Sequence, residues 1–193
     1  MTTSAPPPPL APRIDFARVL AGSFRLDGQV AFVPGGYGGI GEAVCWSLAL
    51  AGARPVVVGR SAAKADALAA AIRAAGLSAD SLAADATQID AMRAAIDEAA
   101  RRHSRLDVLV NCVGIQREQR LEDVSEDAFD EVYRLNLKSA MFTAQSCARH
   151  QKATGRGGAQ VHLLSVRAQL GLRDRGYSAY CATKGALVML IRQ

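Results

Sequence analysis

Five glycines crowd into the segment 35–41. They follow the apolar run Gln29-Val30-Ala31-Phe32-Val33 at once and lead into Glu42 to Ala51, where Val44, Leu48 and Ala51 recur at helical spacing. A strand that turns through glycine into a helix leaves the first helical amides unpaired beneath the strand end, where they can receive a phosphate. A G-x-G-x-x-G pattern runs from Gly36 to Gly41, but in so glycine-rich a loop that match is cheap. The order of elements is the stronger constraint. It asks for a strand buried between helices, the arrangement of a parallel α/β sheet.

The rest of the chain keeps that rhythm. Pro55-Val56-Val57-Val58 is too uniformly apolar for a sheet with one wet face. Ala65, Leu68, Ala69 and Ile72 then repeat at i, i+3, i+4, i+7, and Gly76 stands where a helix would stop. Ser78 to Ala83 predicts a third strand, and Met92, Ala95, Ile96 and Ala99 a third helix ending near His103. Val108-Leu109-Val110 predicts strand four, Glu126 to Arg134 and Asn136 to Gln151 two helices, and Gln160 to Leu164 strand five. A last helix opens near Ser178. Strands and helices alternating in this way predict a doubly wound parallel sheet, the Rossmann architecture, here cut short at the C-terminus after about five strands. The expected organisation is a Pro-rich, disordered arm over 1–24, with a short helix-capable piece at Ile14 to Leu20, and one dinucleotide-binding catalytic domain over 25–193 that is incomplete at its end.

Composition narrows the partners. A balance of 23 Lys and Arg against 18 Asp and Glu gives +5. It is spread without a basic run interleaved with aromatics, so it predicts mild attraction for anions and no nucleic-acid surface. The cysteines Cys45, Cys112, Cys147 and Cys181 are too scattered for a zinc spacing or a disulfide scaffold, and they predict reduced thiols in a cytoplasm and no metal. No apolar run reaches the length of a membrane span.

The candidate cofactor contacts begin with the loop residues Gly35, Tyr37, Gly39, Ile40 and Gly41. At the end of the second strand an acid would hold the ribose hydroxyls of NAD, whereas an arginine would accept the phosphate of NADP. Gly59-Arg60-Ser61 stands there, so NADP(H) is expected in preference to NAD(H). The competing role for Arg60 is a solvated helix-entry residue. Asp85, after strand three, could accept from the adenine amine or cap the helix near Thr87. Tyr180 and Lys184 are neighbours at i, i+4 on the last helix. An ammonium within about 4–6 Å favours a phenolate and makes a tyrosine a usable acid or base, although an ordinary helix surface carries such pairs too.

With Gly35, Gly39 and Gly41, then Asn111-Cys112-Val113-Gly114, then Asn136, Ser165, Tyr180 and Lys184 in order, the chain resembles the short-chain dehydrogenase/reductase family over nearly everything after Leu26. The resemblance implies an NAD(P)-dependent oxidoreductase that interconverts a secondary alcohol and a ketone. In it Tyr180 passes the proton, Lys184 lowers its pKa and binds the nicotinamide ribose, Ser165 hydrogen-bonds the reacting oxygen, and Asn136 holds a water on a relay to Lys184. Asn111 and Gly114 would line the cofactor cleft. The resemblance also implies a homo-oligomer for the complete fold, an assembly in question for a chain lacking the later strands.

Two departures stand out. Pro34 replaces the usual threonine and lacks both hydroxyl and N–H. The interval from Ser165 to Tyr180 is longer than usual, so Arg173-Asp174-Arg175 is expected to bulge near the substrate mouth. The segments Gly114-Ile115-Gln116-Arg117 and Ala182-Thr183-Lys184-Gly185-Ala186, with Gln169-Leu170-Gly171, look like the branch containing gluconate 5-dehydrogenase and deoxygluconate dehydrogenases. Arg117, Arg173 or Arg175 could then bind a sugar-acid carboxylate. The alternatives are a 3-oxoacyl thioester reductase or a catalytically poor dinucleotide-binding remnant. Ending at Gln193, the chain is expected to leave an apolar sheet edge and to under-cover Val188, Leu190 and Ile191.

Overall fold

The computed structural model describes residues 22–193. The arm expected over 1–24 lies outside the described residues apart from 22–24, and the helix-capable piece at Ile14 to Leu20 lies outside them entirely. Five strands form one parallel sheet: β1 (Val30–Pro34), β2 (Arg54–Gly59), β3 (Asp80–Ala83), β4 (Val108–Asn111) and β5 (Ala159–His162). Their spatial order is β3-β2-β1-β4-β5. The order reverses between β1 and β4, which opens a crevice beyond the C-terminal ends of these two strands. Val30 pairs with Arg54 and Ala31 with Val108, so β1 is held on both sides.

Alternation within the strands splits the core in two. Val30, Phe32, Val56, Val58 and Leu109 point to one face, under α3 (Ile89–His103) and α5 (Ser139–Ala153), with Ile96 and Cys147 buried among them. Ala31, Val33, Val57, Val108 and Val110 point to the other, under α1 (Gly39–Leu50) and α2 (Ala62–Ala74). Both faces are dry, as the unbroken valine run of β2 requires. The stripes expected on α2 and α3 are the buried ones: Ala65, Leu68, Ala69 and Ile72, and Met92, Ala95, Ile96 and Ala99.

On α1 the buried stripe is Gly41, Cys45 and Ala49, one residue along from the expected Val44 and Leu48. The physical reason is proximity. The glycine loop brings α1 so close to the sheet that only small residues fit beneath it, and the larger side chains splay to the flanks.

Pro34 closes β1 without disrupting the sheet. Its carbonyl accepts from the Cys112 amide at 3.0 Å, and the amides of Gly35 and Gly36 both donate to the Val58 carbonyl, at 2.8 and 3.2 Å. The two residues beyond the proline thus take over the pairing with β2 that its missing N–H cannot extend.

α4 (Glu126–Tyr133) runs into α5 through a π turn at Arg134–Lys138, where the sequence suggested a break between two helices. α6 (Ser178–Arg192) completes the chain. β5 is an edge strand: Val161 is 51% exposed, and Met189 and Ile191 beside it are exposed, while Val188 and Leu190 are half-buried. Among the described residues no helix is long and apolar enough to cross a membrane.

Candidate active site

A cleft of about 310 Å³ opens over the C-terminal ends of β1, β2 and β4, lined among others by Gly35, Tyr37, Arg60, Asp85, Val113 and Gly114. Its floor is set by backbone contact. Gly35 adopts φ +75°, and a Cβ there would lie 2.9 Å from the Cys112 carbonyl carbon. Gly38 is the N-cap of α1 and gives no side-chain hydrogen bond, whereas Ser61 caps α2 by accepting from the Lys64 amide at 3.4 Å. The first amides of α1 are therefore left for a ligand, and Gly39, with open space where a Cβ would be, lets that ligand approach. Ile40, on the same turn, is 65% exposed.

The remaining expected cofactor contacts divide. Arg60 is exposed and forms no ion pair with another described residue. Asp85 faces the cleft, but one carboxylate oxygen, Oδ1, already accepts from both the amide and the hydroxyl of Thr87 at 2.9 Å. Asp85 thus closes a turn onto Thr87 and does not cap the helix, whose N-cap is Gln88, and its other oxygen makes no hydrogen bond to another described residue. Asn111 is 3% exposed and does not line the cleft. Its Oδ1 accepts from the Val113 amide at 3.1 Å and its Nδ2 lies 3.3 Å from His162 Nδ1, so it shapes the loop that leads to Gly114. With that amide donating, His162 carries its own proton on Nε2. Burial, aided by the charge of Lys184, holds the imidazole below its ordinary pKa, in the neutral form.

The second half of the site adjoins Gly114. A Cβ on Gly114 would sit 3.5 Å from both Asn136 Oδ1 and Lys184 Nζ, so this glycine keeps the space between them clear. Asn136, turned inward by the π turn and 1% exposed, clamps the loop: its Oδ1 accepts from the Ile115 amide at 2.8 Å and its Nδ2 donates to the Ile115 carbonyl at 2.9 Å. The same Nδ2 donates to Thr183 Oγ1 at 3.2 Å, and the Thr183 hydroxyl donates to the Tyr180 carbonyl at 2.8 Å.

Replacing Asn136 with alanine leaves the amide and carbonyl of half-buried Ile115 without their side-chain partner and is expected to cost roughly 1–3 kcal/mol. Urea unfolding of the variant measures this, and a loss under about 0.5 kcal/mol would show that the clamp is not formed.

Lys184 is 4% exposed, and Nζ donates to the Leu163 carbonyl at 2.7 Å while lying 5.8 Å from the centre of the Tyr180 ring. Burial holds its ammonium below the ordinary lysine range. The Tyr180 hydroxyl makes no hydrogen bond to another described residue. Ser165 begins a short 3-10 turn (Val166–Ala168), where its Oγ accepts from the Arg167 amide at 3.1 Å, leaving the hydroxyl proton to be donated elsewhere. Burial pushes the Cys45 thiol up to about 12 and the Cys112 thiol up to about 11, so neither is a thiolate beside the cleft at neutral pH.

The arginines considered for a carboxylate are mostly engaged. Arg117 forms a bidentate pair with Glu131, at 2.7 and 2.8 Å. Arg175 pairs with Glu118 and also contacts the Tyr177 hydroxyl. The Gln119 amide donates to the Gly176 carbonyl at 2.9 Å, so the expected bulge at 173–175 is stapled to the 116–120 loop. Only Arg173 of the three is without an ion-pair partner among the described residues. Two participants escaped the sequence reading. Thr183 carries no signal beyond its place beside Lys184, and Leu163 acts through its carbonyl, which no side-chain pattern reveals.

The chain is similar to known proteins in sequence and in fold. The short chain dehydrogenase family model matches residues 29–193. D-threitol dehydrogenase of Mycolicibacterium smegmatis is 34% identical over 165 residues, covering 86% of this chain and 62% of that protein. Gluconate 5-dehydrogenase of Gluconobacter oxydans is 35% identical over 169 residues, covering 88% of this chain and 65% of that one. The crystal structure of a gluconate 5-dehydrogenase from Burkholderia cenocepacia in complex with NADP and tartrate superposes with a TM-score of 0.84 at 38% identity, covering 89% of this chain and 66% of that chain. The chain thus spans somewhat under two thirds of the length of these curated relatives. With the match running unbroken from the first strand to the last residue, the chain belongs to the short-chain dehydrogenase family.

Proposed function

We propose that residues 25–193 form the cofactor-binding and acid/base part of a cytoplasmic NADP(H)-dependent oxidoreductase that interconverts a secondary alcohol and a ketone on a polyol or sugar acid such as gluconate. The observation that carries this reading is the buried ammonium of Lys184 beneath the Tyr180 ring, next to the cleft at Gly114. A buried lysine at 4% exposure is costly and needs a use.

The residues present fit a dinucleotide. Uncapped amides at Gly39 to Gly41 suit a pyrophosphate, and Arg60, without an ion-pair partner among the described residues, suits a 2′-phosphate. The free oxygen of Asp85 suits the adenine amine, and Lys184 suits the hydroxyls of the nicotinamide ribose. When bound, the nicotinamide supplies or accepts the hydride. Tyr180 then gives the proton to the carbonyl oxygen, or takes it from the alcohol. Ser165 donates its hydroxyl proton to the same oxygen and fixes its position. Asn136 keeps the 115 loop in place, and its Oδ1 faces the space over Gly114 that Nζ also faces, where a water could relay the proton.

The polyol or sugar-acid assignment is supported by the names of the relatives and by Arg173, which has no ion-pair partner at the stapled loops. Following NADP reduction with gluconate and threitol, and NADPH oxidation with 5-ketogluconate and a 3-oxoacyl thioester, tests it. Turnover of a polyol or sugar acid is the expected result. Turnover of the thioester alone removes the sugar reading. The absence of both turnover and an NADPH-induced thermal shift removes autonomous activity of the 193-residue chain.

A further inference from the structure

Tyr37 sits in the glycine loop but works at the end of β2. Its ring lies against Gly59, where an added Cβ would come within 2.7 Å of Cζ and 2.8 Å of the hydroxyl oxygen. That oxygen accepts from the Ser61 amide at 3.0 Å, immediately after Arg60. Ser61 in turn caps α2 through the Lys64 amide. The phenolic proton has no acceptor among the described residues, and both Tyr37 and Arg60 line the cleft. Arg60, on the cleft, and Lys64, in the first turn of α2, are exposed and make no ion pair with another described residue, so the cleft here carries one cation unpaired among the described residues and one polarised hydroxyl donor, with a second cation a turn away.

We propose that Tyr37 is a specificity-determining residue for the cofactor, donating its hydroxyl proton to the 2′-phosphate alongside Arg60. The proposal rests on the NADP(H) reading above and adds a second recognition group from a different loop. Accepting the Ser61 amide aims the hydroxyl and makes it a better donor, since hydrogen bonds in a chain polarise one another. A donor to a charged phosphate is worth more than one to a neutral ribose hydroxyl, so the group discriminates between the two cofactors.

The test is binding, without turnover. Titrating the full chain with adenosine 2′,5′-bisphosphate and with 5′-AMP isolates the adenosine end from Tyr180 and Lys184, and NADPH and NADH are measured beside them. Tyr37→Phe is expected to weaken the bisphosphate and NADPH about ten-fold, with AMP, NADH and the unfolding midpoint little changed. Gly59→Ala reaches the same contact by pushing the ring aside, and the double variant is expected to lose no more than the larger single loss.

Equal weakening of all four ligands by Tyr37→Phe assigns the residue a structural role and overturns the proposal. Tighter NADPH binding overturns it too, because the Ser61 amide would then be the better phosphate donor. Arg60→Ala separates the two levels. If it abolishes a preference for NADPH that Tyr37→Phe leaves intact, the inference fails and the NADP(H) reading stands. If the unaltered chain shows no preference for NADPH, both fail.

Discussion

Tyr180→Phe is expected to lower carbonyl reduction by about 10²–10⁴-fold, the range in which a positioned acid or base contributes. NADPH should bind the variant as well as it binds the parent. The reason lies in how little the hydroxyl does for the fold. It makes no hydrogen bond to another described residue, while the ring stands 5.8 Å from Lys184 Nζ and the backbone carbonyl is held by Thr183. Phenylalanine keeps the ring and the helix and removes only the hydroxyl. A rate within ten-fold of the parent, with cofactor binding retained, would remove Tyr180 from the chemistry.

The pH profile gives an independent check through Lys184. Its pKa is lowered by burial, so the ammonium loses its proton before an ordinary lysine would. Activity that depends on that charge therefore falls as pH rises, with the alkaline limb below the usual lysine range. A rate that stays level into that range contradicts the assignment.

The second large effect is expected at Gly41. A Cβ there would lie far inside van der Waals contact distance of the Gly35 carbonyl oxygen and 2.9 Å from Gly36 Cα. Both are backbone, so no side chain can turn aside, and Gly41→Ala must lift α1 from the sheet. Unfolding free energy should fall by roughly 2–4 kcal/mol, in the range of overpacked cores, and NADPH-induced stabilisation should disappear.

Gly39→Ala is the informative contrast. A methyl there meets no atom of another described segment within 4 Å, so stability is expected to hold or rise slightly, since alanine is the better helix former. Yet the methyl occupies the approach to the unpaired amides, and NADPH affinity should drop at least ten-fold. Calorimetry and a binding titration on the two variants measure both quantities. Unaltered NADPH binding in both would place the cofactor away from this loop.

The fold was legible because burial leaves a periodic trace. Valine runs without polar interruption could only be strands covered on both sides, and the i, i+3, i+4, i+7 repeats on α2 and α3 named the buried side chains. The same reasoning missed the stripe on α1. There the distance of approach, set by Gly41, decided which residues face the sheet, and hydrophobicity did not. Arg117 and Arg175 read as free charges in sequence, because nothing in a linear chain shows that Glu131 and Glu118 fold back onto them.

What the sequence alone determined was the order of strands and helices, the place of the glycine turn and the i, i+4 neighbourhood of Tyr180 and Lys184. All of these follow from local geometry and from periods of two and 3.6 residues. What only the tertiary structure decided were contacts between segments far apart in the chain. Asn136 reaches Ile115 and Thr183, Lys184 reaches the Leu163 carbonyl, and Tyr37 crosses from its own loop to Ser61. Such contacts form where packing brings elements together, and a buried polar group takes whichever partner is within reach, backbone carbonyls included. A carbonyl is the same in every residue, so no pattern of side chains could have announced it.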